Sequence, residues 1–169
     1  MSVTYEGATD QVRQIVHQHA MLRRSLERRA GAVCDAVAGG VPCQRQVEIL
    51  RGYLDEEILP HAEAEERTLC RAAATQARGG DLVRALIHEH RELAYLAGRL
   101  RPGADGGEAA TVSEWIATLF AGHVAKVNDL LLPALAGPGT DLAALLADMR
   151  RPLPPGPASA RQPEAFSQP

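Results

Sequence analysis

Four histidines and one glutamate are spaced so that together they could hold a metal ion. His61 and Glu65 stand four residues apart in His61-Ala-Glu-Ala-Glu65-Glu66, and side chains at i and i+4 share one side of a helix. His19, His90 and His123 each fall in the middle of an apolar stripe at helical spacing. An imidazole in a hydrophobic interior needs a partner, because burying a polar group without one is costly. Neutral imidazole is the commonest metal ligand, and a carboxylate adds a hard oxygen that can bridge two ions. Two further histidines, His17 and His88, lie two residues before His19 and His90. That step is roughly 200° around a helix, so each pair must face opposite ways. His19 is in line with Ile15, Leu22 and Leu26, and His90 with Leu86 and Leu93; these two are expected inside, with His17 and His88 outside. Glu65 falls on the inner stripe. Glu63 and Glu66 read as exposed charge, and Glu57 reads either as a partner for His61 one turn earlier or as surface charge.

These residues need helices to bring them together. Breakers cluster at Gly39-Gly40-Val41-Pro42, Gly79-Gly80, Pro102-Gly103 to Gly107, and Gly137-Pro138-Gly139, leaving four long segments rich in helix formers. The first helix is expected over about Thr9–Ala38, with an apolar face of Val12, Ile15, Val16, Leu22 and Leu26. The second is expected over about Cys43–Ala77, kinked or divided by Pro60. The third starts near Asp81 as N-cap and ends before Pro102. The fourth runs from about Glu108 to Ala136, with Val112, Ile116, Leu119, Phe120, Val127, Leu130 and Leu131 on its face. Short connections favour antiparallel neighbours, so the expectation is an all-α, up-down-up-down four-helix bundle over residues 8–136. A short helix within 140–150, capped by Thr140, and a disordered Pro-rich tail over 151–169 complete the reading. No segment alternates like a strand.

Composition narrows the function classes. The chain has 169 residues, 46% of them hydrophobic, and a net charge of −3, the mix of one globular domain. No basic surplus points to nucleic acid or an anionic membrane, and 4% aromatics offer few platforms for stacking bases. No apolar run reaches the roughly 18–20 residues that span a bilayer, and the N-terminus has no secretory pattern. Cys34, Cys43 and Cys70 are an odd set without a CxxC pair. They read as free thiols suited to a reducing cytoplasm, which is the expected location. No nucleophile with its base and no phosphate loop accompanies the histidines; Gly103-Ala-Asp-Gly106-Gly107 lacks the strand-then-helix setting of a dinucleotide site.

Four stretches together resemble the hemerythrin-like family, or HHE cation-binding domain. They are His19-Ala-Met-Leu22-Arg, Leu59-Pro60-His61-Ala-Glu-Ala-Glu65-Glu66, Glu89-His90-Arg-Glu-Leu93, and His123-Val-Ala-Lys-Val127-Asn128-Asp129-Leu-Leu-Leu-Pro133, spread over roughly residues 10–136. The resemblance implies a four-helix bundle around a non-haem, usually di-iron, centre. Carried over by position, it makes His19, His61, Glu65, His90 and His123 metal ligands. It also implies small ligands such as dioxygen, peroxide or nitric oxide, and roles in oxygen binding or sensing, iron handling, or di-iron oxidase, peroxidase or nitric oxide-reducing catalysis. The family's fourth helix carries a carboxylate four or five residues after its histidine; here Val127 and Asn128 stand there, and Asp129 is about 240° away from His123. A glutamate at 127 is therefore expected to raise iron stoichiometry if that position faces the centre. With one inner carboxylate the readings left open are two irons of unequal strength, a single iron or zinc, a haem held by two axial histidines, and a regulatory bundle whose metal site has decayed.

Overall fold

A computed structural model describes residues 3–76, 79–101, 103–137 and 139–149, with side chains from residue 10 onward. Helix α1 (Val3–Ala38) ends at Gly39-Gly40, where Gly40 takes the left-handed backbone (φ 66°) that glycine adopts without penalty. The second rod is a composite. It comprises α2 (Gln44–Tyr53), a wide π-helical turn (Leu54–Ile58), α3 (Leu59–Glu65), a second wide turn (Glu66–Cys70) and α4 (Arg71–Ala74). Then follow α5 (Gly80–Arg99) and α6 (Gly106–Lys126), whose rod continues through a wide turn (Val127–Leu131) into α7 (Leu132–Leu135). A short helix, α8 (Leu142–Met149), closes the described chain. Among the described residues there is no strand.

The expected break at Pro60 takes a specific form. An α-helical Pro60 would drive its ring against the carbonyl four residues back and lack a donor. Instead the chain widens just before it: the Leu59 N–H reaches the Leu54 carbonyl, five residues back. Helix α3 then starts afresh with the proline in its first turn, where no N–H is needed. The same device precedes Pro133, where the Leu132 N–H reaches the Val127 carbonyl.

The caps differ in detail from the expected ones. Asp81 lies in the first turn of α5 and pairs with Arg84, while Gly79 occupies the cap. The short terminal helix is capped by Asp141, not Thr140: Asp141 Oδ1 accepts from the Ala144 N–H at 3.0 Å. Asp105 caps α6 by accepting from the Glu108 N–H at 3.2 Å. The expected tail over 151–169 lies outside the described residues.

The core shows the direction of each rod. One apolar cluster contains Leu22, Leu26, Leu50, Leu54, Ile58, Leu93, Leu96, Val112, Ile116 and Phe120. The other contains Ile15, Leu69, Val83, Leu86, Val127, Leu131, Leu132 and residues of α8. Along α1 the chain passes from the second cluster (Ile15) to the first (Leu22). The second rod passes back, from Ile58 to Leu69. Helix α5 goes forward again, from Leu86 to Leu93, and the α6 rod returns, from Phe120 to Val127. The rods therefore alternate up, down, up, down, as short connections require. In the first three rods the crossing point between clusters is the histidine of the stripe, and in the fourth it follows His123, between Val124 and Val127, so the polar residues form a layer between two apolar halves. Two stripe residues miss the interior: Val16 and Leu130 are exposed. Val16 lies at the edge of the α1 stripe. Leu130 lies in a wide turn, whose longer period carries Val127 and Leu131 inward and sends Leu130 to solvent. Among the described residues no helix is long and apolar enough to cross a membrane.

The Asp105 cap satisfies one of the orphan donors at the start of the longest described element of the fourth rod. Asp105→Ala should lower unfolding stability by about 1 kcal/mol, read as a reduced denaturation midpoint with an unchanged slope on denaturant.

Candidate metal centre

The five residues picked out by spacing meet at one place, between the two apolar clusters. Glu65 is 1% exposed, and His19, His90 and His123 are 4% or less; His61, at 9%, alone of the five reaches toward the surface. Glu65 lies at the centre, with its two oxygens facing opposite pairs. Its Oε1 is 3.2 Å from His19 Nε2 and 3.4 Å from His61 Nε2. Its Oε2 is 2.9 Å from His123 Nε2 and 3.3 Å from His90 Nε2, and those two nitrogens are 3.2 Å apart. The His19 and His61 rings meet edge-on with centroids 5.1 Å apart, and the His90 and His123 rings tilt together at 4.5 Å. The centre thus has two lobes, each made of two imidazoles and one oxygen of a shared carboxylate.

The outer nitrogens determine what faces inward. His19 Nδ1 bonds to Asn128 Oδ1 at 2.7 Å, His90 Nδ1 to Glu66 Oε1 at 2.9 Å, and His123 Nδ1 to Glu89 Oε2 at 3.1 Å. Every one of these partners is an acceptor, so the ring proton belongs on Nδ1 in each case. A neutral imidazole so oriented presents the Nε2 lone pair to the centre. Three lone pairs therefore converge on a carboxylate, and this grouping is stable only with positive charge among them, supplied by protons or by a metal ion. Consistent with this, His19 Nε2, His61 Nε2 and Glu65 Oε1 are buried and have no aligned hydrogen-bond partner among the described residues. The spacing also fits a cation. Donors each about 2.1 Å from a first-row metal ion stand about 3.0–3.4 Å apart at octahedral or tetrahedral angles; the contacts above span 2.9–3.4 Å. A porphyrin does not fit, because the four packed rings and the Glu65 carboxylate occupy the space that two axial histidines would have to leave for it.

Electrostatics follow from this packing. Burial pushes the Glu65 carboxyl up, but the four imidazoles around it outweigh burial and hold it well below the usual carboxylate range. Burial lowers His90, yet Glu65 and then Glu66 overcome that and raise it above the ordinary histidine value. Cys70, buried nearby, belongs to neither group of converging ligand atoms. Burial, helped by the charges of Glu65 and Glu66, pushes its thiol up to about 12, and a protonated thiol is a poor ligand.

Several placements differ from the sequence reading. Glu66 is not merely surface charge; it bonds to His90. Glu89, to which spacing gave no role, reaches across to His123 on α6 and is also held by Lys126. Asn128 bonds to the outer edge of His19 and does not enter the centre. Val127 does point inward, into the apolar cluster with Ile15 and Leu131. Glu57 is exposed, as are Glu63, Asp129, His17 and His88.

Two outcomes follow from this geometry. Val127→Glu should cost about 3 kcal/mol or more, by placing a carboxylate among apolar side chains; denaturant unfolding would measure it. The second concerns pH. Because His90 is raised in the fold, its proton contributes stability fully below about pH 6.5, and that contribution fades as pH rises through the raised value. A cation needs His90 Nε2, the nitrogen facing Glu65, without its proton. The gap in melting temperature between metal-loaded and metal-free protein should therefore widen from about pH 6 to about pH 8, as scanning calorimetry would show.

Comparison with known proteins agrees with the geometry. No curated protein and no solved structure gives a significant match. A family model, the hemerythrin HHE cation binding domain, matches residues 10–135, a span that contains all five converging residues and the three acceptors behind them. The chain belongs to the hemerythrin HHE cation-binding domain family.

Proposed function

We propose that this protein binds non-haem iron between its four rods and uses it to bind or sense dioxygen or a related small ligand such as peroxide or nitric oxide, or to handle iron. The observation that carries the reading is the convergence of outward-bonded imidazoles on both oxygens of Glu65, an electron-rich cluster that calls for a cation. Mixed imidazole and carboxylate ligation suits iron, and a carboxylate shared between helices is how bundle cores carry paired irons. Iron would supply the reversible binding of a diatomic ligand or an electron to it. The chain's own residues do the rest. His19, His61, Glu65, His90 and His123 would hold the ion; Asn128, Glu66 and Glu89 fix three of the rings; the two apolar clusters keep bulk water out.

The five converging residues are all buried, His61 the least so, and only the outer residues Glu66, Glu89 and Asn128 are partly exposed, which favours a small ligand over a large substrate. A decayed site is a weaker reading. A buried polar cluster that has lost its cation is readily replaced by apolar residues with no loss of stability, whereas here the polar residues remain. The three free cysteines suit a reducing cytoplasm, and no nucleic-acid or membrane partner is proposed.

Metal analysis of protein purified from iron-replete cells tests the reading. Iron should accompany the native chain, His61→Ala should lose most of it, and His17→Ala should retain it, since His17 lies on the outer face. A reversible spectral change on adding dioxygen or nitric oxide to the reduced protein would support sensing, and sustained consumption of peroxide would favour the catalytic alternative. Protein free of iron under these conditions would refute the proposal.

A further inference from the structure

The two lobes differ in what stands behind their imidazoles. In the lobe built from His90, His123 and Glu65 Oε2, both rings are backed by carboxylates: Glu66 behind His90 at 2.9 Å and Glu89 behind His123 at 3.1 Å. Both oxygens of Glu89 are used, because Lys126 holds the other one. In the lobe built from His19, His61 and Glu65 Oε1, the acceptor behind His19 is the neutral amide of Asn128. Among the described residues the only carboxylate within ion-pair distance of His61 is Glu65 itself. A carboxylate behind a ligating histidine raises the basicity of the ring and adds negative charge near the ion; a neutral amide orients the ring without doing either.

We propose that the lobes fill in a fixed order, with the first cation taken by His90, His123 and Glu65 Oε2 and the second, more weakly, by His19, His61 and Glu65 Oε1. The order rests on the metal-binding reading above and adds to it. The first ion takes the half with three carboxylates within reach. It also neutralises the charge on Glu65, the one anion that the other half has, and then repels a second cation across that carboxylate. Glu66 and Glu89 are positioning residues: they act on the ion through His90 and His123. Asn128 is what keeps the second lobe weak.

Anaerobic calorimetric titration of the metal-free full chain with cobalt(II), followed in parallel by the visible cobalt spectrum, tests the order. The native chain should take up two ions in two resolved events. His19→Ala should remove the weaker event and keep the tighter one, whereas His90→Ala should remove the tighter one. Glu89→Gln keeps an acceptor for His123 but removes the charge; it should weaken the tighter event about 10- to 100-fold and leave the weaker one in place. Asn128→Asp should strengthen the weaker event by about the same factor. If a core histidine variant does not fold, as judged by circular dichroism, the Glu89 and Asn128 variants decide. Two indistinguishable events in the native chain, or a Glu89→Gln variant that weakens only the looser event, would overturn the order while leaving metal binding intact. Absence of any cation uptake by the native chain would overturn the metal reading itself, and the order with it.

Discussion

One buried carboxylate faces four imidazoles, and the rest of the molecule is arranged around that fact. Glu65 lies in the middle of a hydrophobic bundle with a histidine from each rod within 3.4 Å of one of its oxygens. An ionised acid in such surroundings is tolerable only if its neighbours supply compensating positive charge. The outward hydrogen bonds of His19, His90 and His123 commit their ring protons elsewhere, so the compensation has to come from within the cluster. That requirement links fold and function directly: the charge that balances the core is also the charge that would do chemistry.

The apolar packing holds this polar layer in register. Each rod carries a hydrophobic stretch on either side of its histidine, and the two clusters grip the layer from both ends. Helix α8 adds Leu142, Leu146 and Met149 to one of them, packing against α1, α3 and the wide turn Glu66–Cys70. The wide turns before Pro60 and Pro133 let two rods continue helical past prolines that would otherwise break them. The third wide turn begins at Glu66, the residue that bonds to His90; irregular turns of this type recur at functional sites.

Much of this was legible in the residues. Stripe spacing alone separated His19 from His17 and His90 from His88, because a step of two residues nearly reverses direction on a helix. The pairing of His61 with Glu65 followed from their spacing of four. Breaker clusters marked the rod ends that they adjoin to within a few residues, whereas no breaker marks the start of α1, which lies at Val3 and not near Thr9. What spacing could not show were contacts between helices. Glu89 reads as an ordinary charge beside His90, and nothing local says that it reaches His123 on another rod. Glu66 follows Glu65 in an acidic run, and its bond to His90 depends on how two helices face each other. The choice between Val127 and Asn128 depended on the wide turn that starts there, since a change of helical period within one turn decides which neighbour meets the apolar cluster and which meets a ring.

The division of the core has a mechanical consequence. Two oily halves separated by a polar waist are joined, across that waist, chiefly by whatever ties the imidazoles to the acid. Bound ions would act there as rivets, one joining the second, third and fourth rods through Glu65, His90 and His123 and the other joining the first and second through His19, His61 and Glu65, whereas protons alone would leave a looser joint. Flexing between the halves, and with it the brief openings that admit a small molecule to the interior, would then depend on how the waist is loaded.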